Sequence, residues 1–374
     1  MRVHQLKTWI WLHKWSSLIC TVFMLMLALT GFPLIFEHEI DEALGETAIP
    51  SAQLATDTQR LSLDRVLEIA IAQFPDKQGM FISQDADDDR VWYVTLANEP
   101  DSEVDLKQVA VDARSGDILA QPKLSGGVMN TIESLHVDML LGLPGMLFLG
   151  VMGVLLLISL ISGAVLYAPF MRKLGFTQVR TSRGKRVKWL DTHNALGIVT
   201  LVWFLVVGAT GVINAWGELL IENWQRTHLA KVIEPYEGQP IPSTLGSLQA
   251  AVDAALTVEP ERKVQFIAFP GTSFTSRHHY GVYLRGTSAL TSRTSKPVLV
   301  DVLTAHVTDN QSMPWYLTML QVSRPLHFGD YAGMPLKIIW ALLNAFTIVL
   351  LISGLYLWLA KSRRRHSLVT EAAP

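Results

Sequence analysis

The stretch His13-Lys14-Trp15-Ser16-Ser17-Leu18-Ile19-Cys20-Thr21-Val22-Phe23-Met24-Leu25-Met26-Leu27-Ala28-Leu29-Thr30-Gly31 has a histidine at one end of an apolar run and a Thr-Gly dipeptide at the other. The same spacing returns at His193, whose run closes on Thr210-Gly211. A second pattern also occurs twice. Leu135-His136 is followed by Pro144-Gly145 and then Ser162-Gly163, and Leu326-His327 by Pro335 and then Ser353-Gly354, at equal distances from each histidine. Such self-similarity is the mark of a repeated structural unit, here helix, extramembrane segment, helix. Four histidines then hold equivalent places in two pairs of helices. That pattern suits a membrane four-helix bundle holding b-type haem, and it points to electron transfer.

The chain has 374 residues, 49% of them apolar. Spanning a bilayer takes about 20 apolar residues. Four runs are long enough, roughly 15–36, 146–170, 196–216 and 334–360. The first is too long for a signal peptide and has no small-x-small cleavage site after it, so it reads as a retained helix. The single cysteine, Cys20, excludes an internal disulfide framework and the CxxCH site of covalent haem. Any haem is held non-covalently.

Orientation follows from the Lys/Arg bias of the flanking segments. Basic residues mark the N-terminal arm (Arg2, Lys7, Lys14), the loop after the second run (Arg172, Lys173, Arg180, Arg183, Lys185, Arg186, Lys188) and the tail (Lys361, Arg363, Arg364, Arg365). All three belong on the cytoplasmic side of a bacterial inner membrane, with both termini inside and the two long segments in the periplasm. The chain divides into an arm and first membrane helix (1–36), a periplasmic unit (37–142), a second helix (143–170), a basic loop (171–188), a third helix (189–216), a second periplasmic unit (217–332), a fourth helix (333–360) and a tail (361–374). The net charge of -2 hides this asymmetry. Acids including Asp85, Asp87, Asp88, Asp89, Glu99, Asp101, Glu103 and Asp105 crowd the first long segment and read as solvated surface.

Each long segment reads as α+β. In the first, Ser62 is placed to cap a helix through about Ala70. Strand-like runs follow at Val91–Leu96 and Gln108–Asp112, then a turn at Ser115-Gly116-Asp117 into Ile118-Leu119. The second segment repeats the order: a helix from Ser247, strands at Tyr280–Leu284 and Pro297–Asp301, and a turn at Thr304-Ala305-His306.

With these marks the chain resembles the PepSY-associated transmembrane family. The Leu-His-Lys and Thr-Gly marks of the first helix, the Leu-His…Leu-Pro-Gly entry to the second and Val111-Asp112…Ser115-Gly116…Ile118-Leu119 carry the resemblance, over nearly all of residues 5–360. It implies a four-helix bundle with two haems b, two PepSY-like periplasmic units, and the activity of FoxB-type inner-membrane reductases of ferric siderophores. Thr304-Ala305-His306 departs from the Ser-Gly-Asp of the first unit, so the two units need not do the same thing.

Low-spin haem takes two axial ligands, and neutral imidazole suits iron. The first and third helices enter the membrane from one side and the second and fourth from the other. Equal depth therefore pairs His13 with His193 and His136 with His327. Polar groups at membrane depth tend to be functional; interfacial histidines marking helix ends are the alternative. Gly31, Gly163, Gly211 and Gly354 either admit a flat macrocycle or serve ordinary small-residue helix packing. His38 lies near the depth of His136 and competes as a ligand or a substrate contact. Arg172 and Arg324, at opposite membrane boundaries, are candidates for haem propionates or are snorkelling side chains. Trp216, Trp315 and Tyr316 fit an aromatic belt. His228, His278, His279 and His306 read as solvated loop histidines, and His4 and His366 as bystanders in basic arms.

No strand is followed by G-x-G-x-x-G, and P-loop, Cys-x-x-Cys and H-E-x-x-H patterns are missing. Electrons must then come from a membrane quinol or a separate cytoplasmic reductase. The basic clusters are explained by topology, so nucleic acid is not expected as a partner; membrane lipid is. The expectation is an oxidoreductase that carries electrons through haem b to a periplasmic ferric siderophore and releases Fe(II) for iron uptake. A membrane-anchored, haem-free, partner-binding regulator is the alternative. A permease is disfavoured, because no span carries paired charges or a broken midpoint.

Overall fold

The computed structural model describes residues 3–45, 59–84, 88–102, 104–119, 127–171, 175–288 and 290–371, with backbone alone for 3, 170, 171 and 361–371. The elements in chain order are α1 (Val3–Leu34), α2 (Glu37–Ala43), α3 (Leu63–Ile71), β1 (Gln78–Ser83), β2 (Val91–Ala97), β3 (Lys107–Asp112), α4 (Gly127–Asp138), α5 (Leu143–Met171), α6 (Lys185–Ala215), α7 (Gly217–Trp224) and α8 (Ala230–Ile233). Then come α9 (Leu248–Val258), β4 (Lys263–Ala268), β5 (His279–Arg285), β6 (Ser295–Asp301), β7 (Val307–Asp309), α10 (Trp315–Phe328) and α11 (Gly333–Glu371). Arg172, Asp85, Asp87 and Glu103 lie outside the described residues. The chain forms two compact units: 1–37, 128–217 and 323–374 make one, and 38–127 with 218–322 the other.

The first unit is the bundle. Among the described residues four helices are long and apolar enough to cross a membrane: His4–Leu34, Leu143–Pro169, Lys185–Ala215 and Asp330–Ala360. They are apolar all round, as a span exposed to lipid must be. Neighbours run α1–α5–α6–α11 and back to α1, which sets α1 diagonally opposite α6. Cys20, Met24, Met152, Leu156, Leu160, Trp203, Phe204 and Leu350 fill the centre. Two helices run past the sequence boundaries: the fourth continues to Glu371 rather than 360, and the third begins at Lys185 rather than 189. Arg180 fixes that start. Its backbone N, Nε and Nη2 all donate to the buried Asp191, at 2.9, 2.9 and 2.8 Å.

His136 and His327 do not sit on the spanning helices. They lie on α4 and α10, which precede them. Between α4 and α5 the chain turns through Met139, Leu140 and Gly142 at positive φ, and between α10 and α11 through Gly329 (φ 82) and Gly333 (φ 58). Each break aims a short helix independently of the span that follows.

The second unit corrects the expectation of two separate α+β units. Its strands form one antiparallel sheet in the order β3-β2-β1-β4-β5-β6-β7. β1 joins β4 through Phe81↔Ala268, Ile82↔Ile267 and Ser83↔Phe266, so the two long segments share one hydrophobic core. Val66 and Ala70 of α3 and Ala251, Val252 and Ala255 of α9 pack with Ile82, Val94, Ile267 and Val282 of the sheet. The helix N-termini cap one another. Asp64 accepts from Ser247 Oγ and Leu248 N, both at 2.6 Å, and Gln249 Oε1 accepts from Leu63 N at 2.9 Å. Ser62 and Ser247 also cap their own helices, as their positions predict, accepting from Arg65 N and Ala250 N.

The two turns are alike despite their sequences. Asp112 Oδ1 accepts from Arg114 N and Ser115 N, and Asp301 Oδ1 from Leu303 N and Thr304 N. Gly116 takes φ 77 and Ala305 φ 55 at matching places. Three acids of the first segment lie on the surface in ion pairs: Asp89 meets Arg60, Asp88 meets Arg90, and Asp105 meets Lys77 and Lys107.

Candidate functional site: two histidine pairs in the bundle

Diagonal placement brings the predicted histidines together in the predicted pairs. The His13 and His193 ring centroids are 6.5 Å apart with planes at 68°. Those of His136 and His327 are 6.3 Å apart at 64°. Along α1 the His13 and Gly31 levels are separated by 18 residues, about 27 Å of helix, so the pairs occupy opposite ends of the bundle.

Each imidazole is seated on the glycine of a neighbouring helix. A Cβ added to Gly163 would stand 3.0 Å from His13 Cε1, and one on Gly31 3.0 Å from His136 Cε1. On Gly211 it would stand 3.1 Å from His327 Cε1, and on Gly354 3.3 Å from His193 Cε1. The Gly residues singled out by spacing are the seats of the His residues singled out by spacing.

The residues around each glycine hold the ring's orientation. His13 Nδ1 lies 2.9 Å from Ser159 O and 3.4 Å from Ser162 Oγ. His193 Nδ1 lies 3.2 Å from Leu350 O and 2.9 Å from Ser353 Oγ. His327 Nδ1 lies 3.0 Å from Val207 O and 3.2 Å from Thr210 Oγ1. His136 Nδ1 lies 2.9 Å from Thr30 Oγ1, and its ring also bonds the Leu27 carbonyl. In every case the partners are the hydroxyl just before the glycine and the carbonyl four residues before it. The hydroxyls are themselves aimed by donating to their own helix, as Thr30 Oγ1 does to Met26 O (2.8 Å) and Thr210 Oγ1 to Val206 O (2.7 Å). A carbonyl can only accept, so Nδ1 carries the hydrogen and Nε2 keeps its lone pair. Fixing the ligand nitrogen through a hydrogen bond at the other one is how proteins prepare a metal-binding imidazole. Burial also keeps His136 and His327, which lie outside the spanning helices, down to about 3 and about 4, so both rings are neutral at ordinary pH.

The separation within each pair fits an axially ligated iron. Two imidazole–metal bonds of about 2.0 Å take up about 4 Å of the 6.3–6.5 Å between centroids, and the rest is roughly the two ring radii. Two imidazoles are too few to close a metal site on their own, and no group of three or more His, Cys, Asp or Glu gathers among the described residues. A planar tetradentate ligand such as haem would supply the remaining donors.

The other sequence candidates lie elsewhere. Arg324 is exposed, one turn before His327 on α10. His38 is exposed on α2, in the sheet-bearing unit. His279 is not a solvated loop histidine. It is fully buried on β5, with Nδ1 2.6 Å from Ser276 Oγ and Nε2 3.1 Å from Thr308 Oγ1. Its neighbour His278 turns away to Pro240 O at 3.2 Å, so the two do not form a metal pair. His228 bonds Gln311 Oε1 at 3.2 Å, and His306 and His4 are exposed. What the residue reading missed is the hydroxyl. Thr30, Ser162, Thr210 and Ser353 were visible as the residue before each glycine, and equal spacing in all four places was the signal.

A family profile described as "PepSY-associated TM region" matches residues 10–361. The chain belongs to that family. It is 26% identical over 274 residues to a Pseudomonas aeruginosa protein described only as uncharacterised, covering 62% of this chain and 64% of the relative. The chain thus spans just under two thirds of that protein's length.

Proposed function

We propose that the protein is a di-haem b membrane oxidoreductase that moves electrons across the bacterial inner membrane to a periplasmic ferric siderophore. One observation carries this reading: two imidazole pairs at opposite ends of the bundle, each ring seated on glycine and locked through Nδ1, with Nε2 left as the nitrogen that keeps its lone pair. Haem b at each pair would supply one-electron chemistry without a proton. His13 with His193 and His136 with His327 would be the axial ligands. Ser162, Ser353, Thr30 and Thr210 fix the tautomer and ring orientation, and the glycines admit the close approach.

The Lys/Arg bias places the His13–His193 end toward the cytoplasm and the His136–His327 end toward the periplasm. Electrons enter at the first end from a membrane quinol or a cytoplasmic reductase, since the chain has no nucleotide-binding signature of its own. The acceptor rests on the resemblance to ferric-siderophore reductases. Reducing the chelated iron to Fe(II) weakens its hold on hard oxygen ligands and frees it for uptake.

The test is a dithionite-reduced minus oxidised visible spectrum of the purified protein with a pyridine haemochrome count. About two haems b per chain are expected, oxidised on addition of a ferric siderophore. A protein without haem, expressed with haem supplied, overturns the reading and leaves a membrane-anchored partner-binding protein in its place.

A further inference from the structure

The halves of the bundle agree around the histidines and differ between the two pairs. Trp203 stands ten residues beyond His193 on α6, about 15 Å along the axis, and is only 9% exposed. Trp340 packs on the backbone of Gly329, two residues past His327, where an added Cβ would meet its Cγ at 3.0 Å. The two indoles meet edge to face at 6.4 Å and 87°. Neither indole N–H, both buried, has a hydrogen-bond partner. At the equivalent places the first half carries Phe23 and Leu149. Phe23 there meets Phe148 edge to face, and Phe148 is 38% exposed, so that pair leads outward.

A buried N–H without an acceptor costs free energy, and the cost is undiminished among lipid-facing helices where water does not compensate it. The first half fills the same level with hydrocarbon and avoids the penalty. Tryptophan at both positions is therefore poorly explained by packing. What the indoles add is two π-systems in edge-to-face contact, running from the backbone of Gly329, two residues past His327, to the middle of the helix that carries His193.

We infer that Trp203 and Trp340 form the bridge that couples the two histidine-pair sites electronically, an inference that rests on each pair holding a haem. One electron leaves the iron at one pair, which is oxidised, and reduces the iron at the other. The indoles lend orbitals to the gap, are neither oxidised nor reduced, and exchange no proton.

The experiment uses the full haem-loaded chain in proteoliposomes, with dithionite added outside and haem reduction followed by stopped-flow absorbance. In the wild type the far haem follows the near one. Trp203→Leu and the Trp203→Leu/Trp340→Leu double variant are expected to slow the far-haem phase at least tenfold. Haem content and both midpoint potentials, from equilibrium redox titration, stay unchanged. Trp203→Phe restores most of the rate, and Phe23→Leu leaves it as in the wild type. An unslowed second phase in the double variant with both haems present overturns the inference, and so does loss of haem or a shifted potential in the tryptophan variants, which would make the indoles part of a binding site. A haem-free wild-type protein in the spectrum described above fails at the earlier step and is thereby told apart from a failed bridge.

Discussion

The first and second halves of the chain repeat one design under two different degrees of constraint. Around the histidines the match is close: Ser162-Gly163 and Ser353-Gly354 hold His13 and His193, and Thr30-Gly31 and Thr210-Gly211 hold His136 and His327. At the bundle centre the match fails, with Phe23 and Leu149 set against Trp203 and Trp340. The sheet shows both behaviours. Its turns keep their geometry although Gly116 is replaced by Ala305. His279 on β5 is buried in a hydrogen-bonded place, whereas its counterpart end of the first segment is marked by Arg90 and Val91 instead. Positions that hold a ring against a backbone leave little room for drift, because an added methyl group would stand 3.0–3.3 Å from the imidazole. Positions away from the rings are free to differ between the halves.

The largest break in this comparison comes from the ligands. His136→Ala or His327→Ala is expected to lower the haem count from two to one per chain, with loss of ferric-chelate reduction. His38→Ala keeps both haems. A pyridine haemochrome assay on the three variants decides it. Haem loss in the His38 variant would break the pairing.

The buried His279 sets the next largest effect. Burial lowers it from 6.5 to about 4, with Asp301 opposing. The unfolded chain therefore binds a proton that the folded chain refuses between about pH 6.5 and 4. Stability rises with pH across that window and is lost as pH falls through it, by about 3 kcal/mol. Thermal denaturation of the sheet-bearing unit against pH should show this slope, and His279→Gln should flatten it.

Removing the orienting hydroxyls sharpens the comparison of the two ends. Ser162→Ala and Ser353→Ala should weaken retention at the His13–His193 pair by about 10–100-fold while sparing the other. Thr30→Val and Thr210→Val should do the reverse. Haem retention during titration with apomyoglobin reads both.

A graded series follows from the glycine seats. Gly163→Ala and Gly31→Ala, with Cβ at 3.0 Å from the imidazole, should disturb haem binding more than Gly354→Ala at 3.3 Å. In the last, the helix-forming preference of alanine, about 1 kcal/mol over glycine, is expected to offset the strain. Equal losses in all three would mean that the seats act through general helix packing.

The smallest effect concerns the turns. Ala305→Gly should stabilise by about 1 kcal/mol, the usual cost of a left-handed conformation at a residue with Cβ. Gly116→Ala should cost more than that, since its Cβ would also come within 2.9 Å of Ile69 and Leu61. Thermal midpoints of the two variants should move in opposite directions.

The sequence by itself determined the four spans, because about 20 apolar residues in a row permit little else. It also determined the pairing of His13 with His193 and of His136 with His327, since an integer spacing repeated in antiparallel helices fixes depth. Ser62 and Ser247 were legible as caps because that chemistry is local. Only the tertiary structure decided that the two extramembrane segments make one sheet. Its central strands β1 and β4, short and each interrupted by a residue out of register, Met80 and Gln265, carry little alternation to read. Likewise the structure alone moved His136 and His327 onto helices of their own, through positive-φ breaks that apolar periodicity does not mark. It also turned four Ser/Thr-Gly dipeptides into imidazole cradles. Which nitrogen of a histidine bonds a carbonyl depends on a neighbouring helix more than 100 residues away in the chain, and that proximity exists only once the bundle has closed.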